Sequence, residues 1–132
     1  MSRLSERIEN FSRAYLLFEQ AKLTYDSNTT NDIYKLALTQ SFEIVFELGW
    51  KILKDQLNLK GIEVFAPRDA IKEAFAANIL PTAQIWIDML KDRNSSTHEY
   101  NQEKVDKIIY SISNIYYDEL KGFYNTVKDF HD

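Results

Sequence analysis

A chain of 132 residues with 45% hydrophobic and 14% aromatic side chains has enough apolar material for one core of ordinary size. Three glycines and two prolines disfavour a turn-rich β-sandwich or barrel, and the lack of cysteine excludes a disulfide framework, a thiolate zinc site and a cysteine nucleophile. The net charge of −4, from 20 acidic against 16 basic residues, gives no global pull on nucleic acid, so any role with RNA has to rest on a local cationic site or on a partner.

In chain order, the first helix is predicted from Ser2 to about Tyr25. Leu4, Ile8, Phe11, Tyr15 and Phe18 step by four and three residues, which is one face of a helix, and Ser2 is its candidate N-cap. Charges scattered through Met1 to Tyr15 argue against a secretory signal, and apolar runs such as Ile44-Val45-Phe46 are too short to cross a bilayer. The expectation is a cytoplasmic protein with no membrane attachment. A polar stretch, Asp26 to Asn31, turns the chain.

A second helix is predicted from Asp32 to about Leu59, before Gly61. Its middle, Phe42 to Trp50, is apolar nearly all round, as expected of a central helix or a subunit contact. Glu43 and Glu47 share the remaining polar stripe and read as a solvated face. Pro67 opens a short helix to about Ala77. Asn78 to Pro81 closes it, and a fourth helix carrying Ile85, Trp86, Met89 and Leu90 is expected to end near Arg93. The last helix is predicted from Gln102 to Lys128, with Val105, Ile108, Ile109, Ile112, Ile115, Tyr116, Leu120, Phe123 and Val127 on its apolar face. The fold class is all-α: an antiparallel, up-and-down bundle of four-helix type with an extra short helix, filling 1–132 as one domain. Trp50 and Trp86 are assigned to packing, and His131 to a frayed tail.

Chemistry points to the segment from Lys91 to Tyr100, which is too polar and too varied for scaffold. On an unbroken helix Arg93 and His98, five positions apart, would leave the axis about 140° from each other and not meet. Asn94-Ser95-Ser96-Thr97 is a run of poor helix formers, and a helix ending at Arg93 would let the two converge. A guanidinium grips phosphate with a rigid fork of donors. An imidazole titrating near neutrality can take a proton from a ribose 2′-hydroxyl or give one to a leaving oxygen. The plainer assignment is that Arg93 pairs with Asp92 or Glu99, His98 caps the next helix and Tyr100 packs in the core.

The stretches Phe42 to Lys51, Pro67 to Ala70, Trp86 to Asn94 and His98 to Tyr100 resemble the nucleotidyltransferase substrate-binding protein family of the HEPN superfamily, which includes the HepT toxins. The superfamily motif is an arginine, four to six residues and a histidine. The HepT-like version adds a tyrosine two residues further on, and Arg93, His98 and Tyr100 match it without a gap. The resemblance implies a helical bundle that forms a homodimer, with two motifs in one cleft. It implies metal-independent endoribonuclease activity with no cofactor: Arg93 and His98 catalytic, Asn94 supporting, RNA the substrate. It also implies a cognate minimal nucleotidyltransferase as antitoxin, attaching AMP to Tyr100. Bulk and negative charge there would oppose RNA at Arg93. The alternative is a non-catalytic substrate-binding or adaptor subunit of a two-component nucleotidyltransferase, and a third option is a helical dimerisation domain without chemistry.

Overall fold

The computed structural model describes residues 2–96 and 101–130, apart from the side chain of Ser96. All regular structure in these residues is helical: α1 Arg3–Ser27, α2 Asp32–Leu59, α3 Pro67–Ala76, α4 Gln84–Ser96, α5 Gln102–Ser111 and α6 Tyr117–Val127, the last two joined through a π-helical turn, Ile112–Tyr116. Each start has a local cause. Ser2 accepts the Ser5 amide at the head of α1, Asn31 accepts that of Tyr34 at 3.0 Å for α2, and Pro67 needs no donor at the head of α3. Asn101 caps α5 by accepting from Glu103 and Lys104, so the N-cap role considered for His98 belongs to Asn101. After α2 the chain reverses at Gly61, whose φ of +81° favours glycine, while Ile62 N–H reaches back to the Leu57 carbonyl at 2.9 Å.

The short connection 28–31 folds α1 back along α2, and the π-turn and α6 close the bundle over both. Between them lies an aromatic core. Phe123 meets Phe11 edge-on at 5.5 Å and Trp86 at 4.9 Å, and Tyr116 stacks on Phe42 at 5.4 Å. Trp86 is wholly buried and its indole N–H donates to Glu119 at 3.2 Å; Trp50 is buried too, so both tryptophans pack as expected. No helix among the described residues is long and apolar enough to cross a membrane.

The structure departs from the sequence expectation at both sides of the candidate site. First, α4 does not stop at Arg93; it continues through Asn94 and Ser95 to Ser96. Serine and asparagine lower helix propensity by only a fraction of a kcal/mol each, roughly 0.5, and tertiary anchoring of the last turn outweighs that. Second, the final helix is not uniform. Tyr117 N–H bonds the carbonyl of Ile112, five residues back, and the wider turn sends Ile115 outward, 43% exposed, instead of into the core.

Candidate functional site

Arg93 lies in the last turn of α4, where exposed carbonyls make a cation favourable. Its guanidinium is ion-paired with the carboxylate of Glu47, which projects from the middle of α2. It also donates to the side-chain carbonyl of Asn94 at 3.2 Å. Glu47 has a second cation on its own helix: Lys51 stands one turn on, 3.4 Å away. The side chains of Arg93 and Glu47 are 32% and 31% exposed, so this cluster is reachable from solvent yet held from behind by packed helices.

The neighbouring acid plays a different part. Asp92, one of the partners considered for Arg93, accepts the phenolic hydrogen of Tyr116 from the π-turn. Burial raises the Tyr116 pKa well above its ordinary value, and the hydrogen bond to Asp92, the charge of Asp92 and that of Asp88 push the same way. The phenol therefore stays protonated and keeps donating.

Of the residues singled out by sequence, the structure brings Arg93 and Asn94 together. His98 and Tyr100 lie outside the described residues, as does Glu99. The residue missed by sequence reasoning is Glu47. Its signal was the Glu47–Lys51 spacing at i,i+4, which sequence alone reads as an exposed helix pair; only the packing of α4 on α2 reveals its contact with Arg93. Among the described residues, no group of three or more His, Asp and Glu side chains is gathered closely enough to hold a metal ion.

Residues 6–129 match the family model described as nucleotidyltransferase substrate binding protein like. The chain belongs to this family. A probable ribonuclease HepT from Haemophilus influenzae is 33% identical over 70 residues, or 49% of this chain and 48% of that protein. The chain thus spans about half the length of the curated relative it matches. A tri-AMPylated HEPN toxin from Shewanella oneidensis, solved in complex with its MNT antitoxin, shares the fold at a TM-score of 0.78 and 13% identity, covering 98% of this chain and 100% of that one. A crystal structure of a protein from Thermus thermophilus aligns at a TM-score of 0.70 and 24% identity, covering 84% and 98% of the respective chains. At those identities the structural likeness establishes the all-helical fold alone.

Proposed function

We propose that this family member is a HepT-like toxin, a metal-independent endoribonuclease working as a homodimer and neutralised by a cognate nucleotidyltransferase. The observation that carries the reading is Arg93: a partly exposed guanidinium, anchored by Glu47 and Asn94 at the end of a helix, directly ahead of the His98 and Tyr100 of the motif. The half-length match to a probable ribonuclease HepT supports it.

In this reading Arg93 binds the scissile phosphate, and Asn94 steadies the guanidinium. His98 of one copy removes the proton from a ribose 2′-hydroxyl. The 2′-oxygen attacks phosphorus, the bond to the 5′-oxygen breaks, and the departing oxygen takes a proton from the imidazolium of the second copy. The products are a 2′,3′-cyclic phosphate and a 5′-hydroxyl. Glu47 must yield part of the guanidinium when phosphate arrives, and Lys51 beside it adds positive charge to an acidic protein. AMP attached to Tyr100 would place a phosphodiester close to His98 and oppose RNA by bulk and charge.

The family description itself favours a second reading, in which the chain binds the substrate of a two-component nucleotidyltransferase without cleaving anything. One experiment separates them. Purified protein is incubated with several RNAs in the presence of a chelator, alongside Arg93→Ala and His98→Ala. Cleavage that resists the chelator and disappears in both variants supports the ribonuclease. Absence of cleavage by the wild type on every RNA supports the adaptor. Mass spectrometry after co-expression with the nucleotidyltransferase is expected to find adenylyl on Tyr100, and a modification confined to another residue overturns the neutralisation scheme.

A further inference from the structure

Successive residues leave a helix about 100° apart. At the end of α4 this sends Arg93 towards Glu47 on α2 and Asp92 to Tyr116 in the π-turn. The last turn of α4 is therefore gripped from the two sides by different helices. A helix end has unsatisfied carbonyls and frays unless something holds it, so the grip decides how sharply Arg93 is placed.

The Tyr116 side of that grip is closely packed. Its ring is only 3% exposed and lies on Phe42, with 5.4 Å between centroids and 19° between planes. The i→i−5 bond from Tyr117 to Ile112 widens the turn just before it. In an unbroken α-helix, Ile115 and Tyr116 would straddle the line of Ile112 by about 60° and 40° on either side. The wider turn instead brings Tyr116 into line with the core and leaves Ile115 outside. Asn114, within the same turn, donates its side-chain amide to the Tyr110 carbonyl at 2.9 Å and so satisfies an oxygen where the ladder changes register. Turns of this kind interrupt the regular ladder, occur rarely and concentrate at functional sites.

We propose that Tyr116 is a positioning residue for the Arg93 site: the π-turn carries its buried hydroxyl to Asp92, and that bond fixes the terminal turn of α4 from which Arg93 projects. Because burial and Asp92 keep the phenol protonated, the tether persists through the neutral range. The catalytic consequence rests on the ribonuclease reading above; the mechanical one does not.

Tyr116→Phe keeps the ring and its stacking and removes only the hydroxyl. Asp92→Ala removes the acceptor, whereas Asp92→Asn leaves an oxygen for the phenol to reach. Chelator-resistant RNA cleavage is expected to lose about tenfold or more in kcat, and less in KM, for both Tyr116→Phe and Asp92→Ala, the loss that goes with a missing hydrogen bond to a charged group. Asp92→Asn is expected to recover most of it, and Tyr116→Phe combined with Asp92→Ala to be no worse than either alone. Hydrogen exchange of the backbone amides of residues 93–96 is read in parallel and is expected to quicken about tenfold in Tyr116→Phe. Folded Tyr116→Phe with wild-type kcat and wild-type exchange overturns the proposal; so does a lowered melting temperature with neither of the other readouts moved. If wild-type protein cleaves no RNA, the ribonuclease reading fails, and the exchange rates alone decide whether Tyr116 tethers α4.

Discussion

Glu47 limits how much positive charge Arg93 presents to solvent. The pair is about one-third exposed, so water and salt screen it, and its contribution is on the order of 0.2–1 kcal/mol rather than the several expected of a buried ion pair. An energy of that size can be displaced by an incoming phosphate, which offers a charged acceptor of similar geometry. Glu47→Gln keeps an oxygen facing the guanidinium but removes the competing charge. RNA affinity measured by fluorescence anisotropy is therefore expected to rise by roughly two- to fivefold at low salt, and the gain to shrink as salt is raised. A fall in affinity would mean that the Glu47 charge organises the site more than it competes for it. Lys51 sharpens the contrast, because in the variant its ammonium also loses the carboxylate 3.4 Å away.

At the scale of elements, the close approach of α4 to α2 depends on one missing side chain. A Cβ at Gly49 would stand 3.3 Å from the ring of the fully buried Trp86 and 3.4 Å from that of Phe11. Gly49→Ala removes a helix-destabilising glycine, a gain of about 1 kcal/mol, but forces wedged aromatic rings apart at a cost of about 1–3 kcal/mol. Net destabilisation of about 1 kcal/mol, read from denaturant midpoints, is expected; a more stable variant would show that Trp86 has room to move. The same packing explains what sequence could and could not reveal. Helix starts at Ser2, Asp32 and Pro67 were legible because capping oxygens and proline act within one turn. The extension of α4 past Arg93 was not, since Asn94 and Ser95 are weak helix formers and the turn they complete is anchored through Arg93, which contacts Glu47, 46 positions earlier. Ile115 is misplaced for a related reason: hydrophobic spacing assumes a constant turn, and the helix widens to a π-turn at Ile112–Tyr116. The Arg93–Asn94 half of the candidate site follows from local sequence; Glu47 and Tyr116 become visible only when helices are laid against each other.

For the whole molecule, tyrosine burial sets an alkaline limit. Tyr15 and Tyr116 are both held protonated when folded. In Tyr15 the main cause is burial, followed by the hydrogen bond and charge of Tyr117 and then Glu19. Unfolded, each titrates near about pH 10. Below that value both states keep the proton and stability is intact. Above it only the unfolded chain loses protons, so stability falls by up to about 1.4 kcal/mol per pH unit for each tyrosine. Melting temperatures are expected to be level to about pH 9 and to drop steeply by about pH 11, with Tyr15→Phe less steep than wild type. A slope unchanged in that variant would place the alkaline sensitivity elsewhere.

For the homodimer proposed above, the outer surface of α2 offers a candidate face. Ile33 and Ile44 are 73% and 55% exposed on a helix whose other face fills the core. At 100° per residue, Ile33, Ala37, Gln40 and Ile44 fall within about 40° of one line along the helix, and that line continues to Glu47 and Lys51. This stripe, apolar apart from Gln40, therefore runs straight into the Arg93 cluster. A second copy laid on the stripe would cover the isoleucines and bring its own arginine to the same edge, which gives an acidic chain a local concentration of cations. Sedimentation is expected to show a dimer. Ile44→Asp puts a charge on the stripe without entering the core, so it is expected to give monomers with unchanged helical circular dichroism and no RNA cleavage. The outcome that sinks this arrangement is an Ile44→Asp protein that is monomeric and still cleaves at the wild-type rate, because then one bundle is sufficient and Arg93 acts without a counterpart.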